Sequence, residues 1–293
     1  MTDFIESFRA ALADAGVILH PSASIRADGG LHRARSADDK PGRVSCWYRL
    51  HLDSPVAGAG GSWKSGASVR WCSKRESALT TKERQELAAR ILRERAEAQA
   101  ETDRRHADAA ARALRIWKDS APASPAHPYL VRKGIAPGIA RESRGALVLP
   151  VKDFTGQLWG LQFIAPDSGK RFLSGMKKSG CYIPIGGRLD DSRAIYLVEG
   201  WATGMTIQAM KPTVQVAACC DAGNLLSVAT EARRRFPALD IVIAPDFDAI
   251  GTTKGRDAAI AARAHILPLP AQVPPGCTDW NDWANHRPGV AHG

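Results

Sequence analysis

Three carboxylates in the C-terminal third of the chain have the types and spacing that phosphate chemistry requires. Glu199 ends an apolar run that starts at Ile195, and Asp246 and Asp248 follow a second apolar run over residues 240–244. Carboxylate oxygens are ligands that Mg²⁺ prefers, and a few of them suffice together with waters and substrate phosphates. Three neighbouring acids also repel one another, which favours a bound cation. The spacing predicts a divalent-metal site that acts on phosphates.

An alternation of strand and helix patterns would position these acids. The apolar runs predict strands at 195–198, 214–218, 240–244 and 266–269, and the patterns between them predict helices at 203–210, 225–236 and 255–265. This order builds a parallel sheet that is covered by helices on both faces. Because right-handed crossovers place the carboxyl ends of parallel strands on one edge, we expect the three acids to share that edge. The alternative for Asp246 and Asp248 is that they cap a loop before a helix.

The same motifs resemble the Toprim domain of primases, topoisomerases and some nucleases. The resemblance rests on Glu199-Gly200, on Asp246-Phe247-Asp248 and on the start of a helix at 255–259. Upstream, the segments 144–151, 156–163 and 170–174 resemble the part that precedes Toprim in bacterial replicative primases. The order of the blocks favours a primase. A predicted loop at 249–254 is longer than in the replicative enzymes and resembles phage and plasmid members instead.

The resemblance implies site residues and a cofactor. Glu199, Asp246 and Asp248 would be catalytic and would bind Mg²⁺ or Mn²⁺, with Glu199 either sharing the metal or acting as the general base. Replicative primases usually have a further acid four residues after the glutamate, whereas this chain has Thr203, so a metal ligand is missing or replaced. The late acids Asp279 and Asp282 match a metal-binding pair by their order. The residues expected near the nucleotide are Arg144, Lys170, Arg171 and Arg256.

The charge of the chain agrees with a nucleic-acid partner. Forty Lys and Arg side chains against 30 Asp and Glu give a net charge of +10, and residues 1–150 hold 25 of the basic and 17 of the acidic side chains. A basic surplus attracts a phosphate backbone independently of base sequence. The surplus in the N-terminal half therefore predicts a nucleic-acid contact there.

Aromatic and basic side chains interleave within that half and alternate as they would in a small antiparallel sheet. Exposed tryptophans beside arginines form stacking platforms for single-stranded bases. The alternative is that the tryptophans form the core of the small β domain. The predicted DNA-binding residues are Arg33, Trp47, Arg49, Trp63, Lys64, Arg70 and Trp71.

Two other possible motifs lack residues that their chemistry requires. Residues 58–65 nearly match a P-loop, but Trp63 occupies a position where glycine must let the backbone wrap a phosphate. Any helicase is therefore expected to be a separate protein. The six cysteines include no C-x-x-C pair, so a zinc ribbon is not evident and the thiols are expected to be reduced.

These observations predict an α/β protein with a Toprim domain at 189–293. It would follow a basic β-rich module at 1–75, a helical connector at 76–120 and a mixed primase-core-like subdomain at 121–188. The predicted function is metal-dependent synthesis of short primers from nucleoside triphosphates on a single-stranded DNA template, in phage or plasmid replication. The alternatives are a Toprim nuclease and a non-catalytic accessory protein that binds single-stranded DNA. No apolar stretch approaches the roughly 20 residues needed to span a bilayer, and the N-terminus lacks the charge pattern of a signal peptide, so we expect a cytoplasmic protein.

Overall fold

The computed structural model describes residues 2–286, which fall into two units that divide between Gln99 and Ala100. The finer division into segments at 1–75, 76–120, 121–188 and 189–293 stays a prediction. The last seven residues of the predicted Toprim domain lie outside the described residues.

In the first unit, an N-terminal helix packs on a four-stranded antiparallel sheet. The elements are α1 (Thr2–Asp14), β1 (His32–Ala34), β2 (Cys46–His51), β3 (Ala57–Ser62) and β4 (Ser68–Cys72), with the strands in the order β1-β2-β3-β4. Alternate residues of β2 are buried, and Phe8 and Leu12 of α1 lie in the same core. The predicted N-terminal β module is therefore present. Trp63 and Lys64 were expected within a strand, but they lie in the turn after β3.

A 39-residue helix follows a short 3₁₀ turn at Glu76–Ala78: α2 extends over Thr81–Asp119. Its composition of Ala, Glu, Arg and Gln favours helix. A capping box starts it, because the Thr80 Oγ1 accepts from the Glu83 N–H at 3.2 Å and a Glu83 carboxylate oxygen accepts from the Thr80 N–H at 2.9 Å. Among residues 2–286, no helix combines the length and apolar character needed to cross a bilayer.

The second unit begins with an antiparallel sheet in the order β5-β6-β7-β8-β9. This part of the chain contains β5 (Ala121–Pro122), α3 (Pro128–Lys133), β6 (Arg141–Ser143), β7 (Ala146–Lys152), β8 (Leu158–Ile164) and β9 (Lys170–Phe172). On one face of this sheet, Val148, Leu161 and Phe163 pack with Ala113 of α2. The opposite face joins a larger core that includes Leu147, Leu149 and Ile164.

The rest of the unit forms the predicted parallel sheet, in the order β10-β12-β11-β13-β14. Strand β10 is an antiparallel edge strand, and the other neighbours run parallel. The elements are β10 (Ile183–Ile185), β11 (Ile195–Val198), α4 (Trp201–Met210), β12 (Gln215–Ala218), α5 (Ala222–Arg235), β13 (Ile241–Ala244), α6 (Ala249–Ala262), β14 (His265–Ile266) and α7 (Trp280–Asn285).

Helices cover both faces of this sheet, as the near-continuous apolar strands predict. Helix α4 packs on one face with Val198, Val216 and Ala244, whereas α5 and α6 pack on the other face with Leu197 and Ile243. The predicted loop at 249–254 is wrong, because these residues form the first turns of α6. A side-chain cap from Asp248 starts the helix at that point.

Candidate active site at the carboxyl edge of the parallel sheet

Glu199 and Asp246 lie next to each other at the carboxyl ends of adjacent strands. Strands β11 and β13 pair in parallel with Val198 opposite Ala244, so both acids emerge from the same edge. The Asp246 N–H donates to the Glu199 Oε1 at 3.5 Å. Gly251, in the first turn of α6, closes the space: a Cβ at that residue would lie 2.7 Å from the Glu199 Oε1 and 2.9 Å from the Asp246 carbonyl oxygen.

The packing around these two acids disfavours their charged forms. Burial raises the pKa of Glu199 above its usual value, and the charges of Asp248, Asp221 and Asp279 add to the effect. Burial also raises the pKa of Asp246 to about 8, with further contributions from Glu199, Asp279 and Asp248. The Asp246 Oδ1 is buried and has no hydrogen-bond partner among the described residues. A cation would offset the repulsion between the carboxylates and would give the Asp246 Oδ1 a partner.

Asp248 caps α6 and also contributes charge to the pair. Its Oδ1 accepts from the Gly251 N–H at 2.6 Å, and the residue is exposed. The capping alternative from the sequence is therefore observed for Asp248. The same carboxylate raises the pKa values of Glu199 and Asp246 through its charge, so the cap lies within electrostatic reach of both acids.

The late acids Asp279 and Asp282 differ in their surroundings. Asp279 caps α7, accepts from the Asp282 N–H at 2.8 Å and raises the pKa values of Glu199 and Asp246. Both oxygens of Asp282 are engaged: Oδ1 is 2.9 Å from the Lys133 Nζ, and Oδ2 accepts from Thr278. Burial alone would raise the pKa of Asp282, but the bonds from Lys133 and Thr278 outweigh it and lower the pKa. Of the two, Asp279 is the one whose charge is among the main causes that raise the pKa values of Glu199 and Asp246.

The arrangement fits a hydrated ion better than a site built from protein ligands alone. Within residues 2–286, no group of three or more His, Cys, Asp or Glu side chains is arranged to hold a metal ion. Mg²⁺ commonly uses one or two carboxylates and completes its shell with water and substrate phosphates. The unpartnered Asp246 Oδ1 beside Glu199 suits that mode of binding. All six cysteines are free thiols.

The adjacent cations Lys170 and Arg171 on β9 lie on opposite faces of the antiparallel sheet. Successive strand residues point to opposite faces. Arg171 lies opposite Phe163 and stacks on its ring with 4.2 Å between the guanidinium carbon and the ring centroid. Lys170 lies opposite Ile164, on the other face, and its charge opposes the rise in the Asp246 pKa. The structure therefore brings Lys170, and not Arg171, towards the acids.

The other two predicted nucleotide-binding residues are exposed at a turn and on a helix surface. Arg144 occupies the tight turn between β6 and β7 with a φ of 52°. The helix predicted at 255–265 would place Arg256 in its first turn, where the helix dipole favours phosphate. That expectation is wrong because α6 begins at Ala249, so Arg256 lies two turns along it. Their roles as nucleotide contacts stay predictions.

Sequence reasoning missed Asp221 and Lys178. Asp221 caps α5, and its Oδ2 lies 2.5 Å from the Lys178 Nζ, which is also 5.6 Å from the centre of the Phe172 ring. The charge of Asp221 raises the pKa of Glu199. The strand-end rule could have found Asp221, because it closely follows β12. By contrast, no local pattern pairs Lys178 with an acid 43 residues away.

Thr203 occupies the position where the resemblance expects another acid. It lies in the first turn of α4 and is 2% exposed. An ionised carboxylate buried there would have to be desolvated. Asp221 and Asp279 instead supply the additional negative charge around Glu199.

The predicted DNA-binding residues of the first unit fall into two groups: side chains that contact other residues of the unit and side chains that are exposed. Trp71 packs against Phe8 in the core, with ring centroids 5.7 Å apart, which is the core alternative left open by the sequence. Trp47 lies against Gly61, where a Cβ would be 2.8 Å from the indole Nε1. Arg49 forms an ion pair of 3.1 Å with Glu94. The exposed residues of the set are Arg33, Trp63, Lys64 and Arg70.

Comparison with known proteins agrees with the predicted Toprim fold. A family model described as "Toprim domain" matches residues 194–288. Two Escherichia coli proteins named DNA primase TraC are 33% identical over 270 residues and 31% identical over 294 residues, which cover 88% and 92% of this chain. The primase fragment of the bacteriophage T7 primase-helicase protein has a TM-score of 0.41 at 18% identity, covering 52% of this chain and 67% of the fragment.

The C-terminal α/β fold with its acidic strand ends is a Toprim domain. Over most of its length, the chain is related to the two proteins named DNA primase TraC. It spans 18% and 28% of the length of the two TraC relatives.

Proposed function

We propose that this chain is a magnesium-dependent primase that joins nucleoside triphosphates into short primers on a single-stranded DNA template. The observation that carries the proposal is the meeting of Glu199 with a buried, unpartnered oxygen of Asp246 at the carboxyl edge of the Toprim sheet. The relationship to the TraC primases supports the direction of the chemistry, which is synthesis of a phosphodiester.

In the proposed reaction, the 3′-hydroxyl oxygen of the growing primer bonds to the α-phosphorus of the incoming triphosphate. The bond from that phosphorus to the bridging oxygen breaks, and pyrophosphate leaves. Glu199 takes the proton of the hydroxyl group, a task favoured by its raised pKa because proton transfer is most effective near the operating pH. Lys170, whose charge reaches Asp246, and Lys178, which pairs with Asp221, would supply positive charge for the triphosphate.

A divalent cation, when bound, would supply charge neutralisation for the phosphates and a lowered pKa for the attacking hydroxyl. We assign its direct or water-mediated binding to Asp246, while Glu199 acts as the base and Asp248 and Asp279 add negative charge nearby. Because the Asp246 carboxyl holds a proton up to about pH 8 in the absence of an ion, cation binding must displace that proton.

The test incubates the full chain with single-stranded DNA, labelled nucleoside triphosphates and either Mg²⁺ or Mn²⁺. We expect labelled oligomers from the unmodified protein and a loss of roughly 10²- to 10⁴-fold on Glu199→Gln, the range for removing a general base. Asp246→Asn should abolish the response to metal concentration. Asp257→Asn is the matched control, because Asp257 is an exposed carboxylate on the same helix α6 and should leave synthesis unchanged.

The outcomes separate the proposal from its competitors. Shortened template without labelled oligomers would replace synthesis by Toprim-type cleavage of phosphodiesters. If neither product appears and Glu199→Gln still binds single-stranded DNA, the chain is a non-catalytic accessory protein. A separate replicative helicase and a cytoplasmic location belong to the same proposal, and added helicase would then stimulate synthesis on long templates.

A further inference from the structure

The exposed tryptophan of the first unit occupies a fixed position. Trp63 is 55% exposed, and its backbone N–H donates to the Ser45 carbonyl oxygen at 2.9 Å. The turn that carries it is closed by Gly66, whose N–H donates to the Ser62 carbonyl oxygen at 2.9 Å, and the Ser62 hydroxyl accepts from the Lys64 N–H at 3.2 Å. An aromatic side chain on such a braced turn presents its ring without a large ordering cost on binding.

One face of the Trp63 ring already carries a cation. The Arg33 guanidinium carbon lies 5.3 Å from the ring centroid. Since more than half of the residue's surface is exposed, the opposite face is the part that a planar ligand can reach. A cation on one face and a base on the other is an arrangement used by proteins that bind single strands.

Trp63 borders an open depression of about 720 Å³, which is lined mainly by the loop at residues 38–45. Asp39 is 8% exposed and braces this loop by accepting from the Ser36 N–H, the Ser45 N–H and the Ser45 hydroxyl at 2.7–3.0 Å. Asp38 is bound by the Lys64 ammonium group. The cations that line the depression are Lys40, Arg43 and Lys64.

We propose that this depression binds one nucleotide unit of single-stranded DNA, with a base stacked on the free face of Trp63 and the flanking phosphates on Lys40 and Arg43. Both carboxylates of the depression are already satisfied, by Lys64 and by the loop, so the two remaining cations are available to phosphate. The inference rests on the proposed function for the identity of the strand, and it names where on the first unit that strand is held.

The neighbouring sheet surface is a poorer choice for the same ligand. Arg49 and His51 both contact Glu94, at 3.1 Å and 2.6 Å, and the three side chains are at most 26% exposed. A phosphate would have to displace that carboxylate before it reached either cation. The Trp63 depression carries no such competitor, since its acids have their own partners.

The experiment measures the affinity of the full chain for a fluorescent oligothymidylate by anisotropy, and it repeats each titration with an abasic oligomer of the same length. We expect Trp63→Ala to weaken binding of the normal oligomer about tenfold, the effect of losing one stacked base, and to leave binding of the abasic oligomer unchanged. Trp63→Phe should restore most of the loss. Ile18→Ala is the control, because Ile18 is an equally exposed apolar side chain (56%) of the same unit.

The phosphate contacts have a separate signature. The double change Lys40→Gln and Arg43→Gln should weaken the binding of both oligomers alike. It should also reduce the slope of log affinity against log salt concentration by about 2, because two phosphate contacts are lost. Unchanged affinity of Trp63→Ala, or an equal loss on normal and abasic oligomers, would overturn the stacking site. Equal affinity of the unmodified chain for thymidine monophosphate and for the oligomer would instead make the depression a free-nucleotide site and refute the assignment to DNA.

Binding needs no catalysis, so this proposal and the proposed function fail separately. If the unmodified chain makes no primers and Trp63→Ala still loses affinity, the stacking site stands without the synthetic activity. If primers are made, Trp63→Ala should require more template for half-maximal synthesis while its rate at saturating template stays unchanged.

Discussion

Gly251 lies where the start of α6 passes close to the acid pair, so adding one methyl group there tests the geometry of the site. In Gly251→Ala, the new Cβ would lie 2.7 Å from the Glu199 Oε1 and 2.9 Å from the Asp246 carbonyl oxygen. Ordinary contacts of a Cβ begin at 3.4 Å, so the carboxylate must retreat by about 0.7 Å, the difference between 3.4 Å and 2.7 Å.

Folding and catalysis should respond differently to this change. Alanine is about 1 kcal/mol better than glycine within a helix, which offsets part of the ~1–3 kcal/mol that overpacking costs. The free energy of unfolding should therefore change by less than about 2 kcal/mol. A displacement approaching 1 Å in a catalytic group lowers rates by up to roughly a hundredfold, so we expect primer synthesis to fall by about 10- to 100-fold.

Primer synthesis at saturating template and triphosphate gives the activity, and urea unfolding followed by circular dichroism gives the stability. Gly255→Ala is the matched control on the same helix, because its Cβ would meet the side chain of Pro245 at 2.8 Å rather than a carboxylate. This control should lose stability and should retain more synthesis per folded molecule. Normal synthesis by a well-folded Gly251→Ala would refute the argument that the close approach of α6 positions Glu199.

Three further predictions concern ionisation and a partly buried ion pair. In metal-free buffer, the pKa of Asp246 is about 8 when folded against 3.8 in the reference state, so the native state retains a proton that the unfolded chain releases. Stability should fall by a few kcal/mol as the pH rises from 4 to 8, and Asp246→Asn should abolish most of this fall in thermal unfolding; parallel curves would contradict the burial of that carboxyl. For the same reason, calorimetry in buffers of different ionisation enthalpy should detect proton release when Mg²⁺ binds below pH 8, and Asp246→Asn should show none. Lys133→Met should lower the free energy of unfolding by ~1–3 kcal/mol because it strips a partner from the half-buried Asp282, and adding Asp282→Asn should recover part of the loss; strictly additive effects would show that the pair does not interact.

The positions of the strands and their acids could be predicted because both depend on local pattern. The run at 195–198 coincides with β11, and the run at 240–244 contains β13. Parallel connection then brings their carboxyl ends to one edge whatever the rest of the chain does. The start of α6 could not be predicted in the same way. Its first turns contain Gly251, Thr252 and Thr253, which are weak helix formers, and the cap from Asp248 together with packing against Glu199 overrides that preference.

The tryptophans of the first unit show the same division. Alternation in sequence indicates that residues of a strand face opposite sides, but it does not say which side another element covers. Helix α1 covers the side of Trp71, which contacts Phe8, and Trp63 falls in a turn with more than half of its surface exposed. The packing of α1 therefore made Trp71 a core contact, whereas the turn after β3 left Trp63 exposed.

The amino-acid sequence by itself determined which side chains follow the strands, and hence that Glu199, Asp246 and Asp248 share an edge of a parallel sheet. Only the tertiary structure decided that Asp246 is desolvated, that Asp279 and Asp221 add their charge, and that Lys178 is paired beside them. The reason is physical. A strand end is specified by its own residues, whereas the desolvation of a carboxylate and the field acting on it are sums over groups that the chain brings together from distant segments.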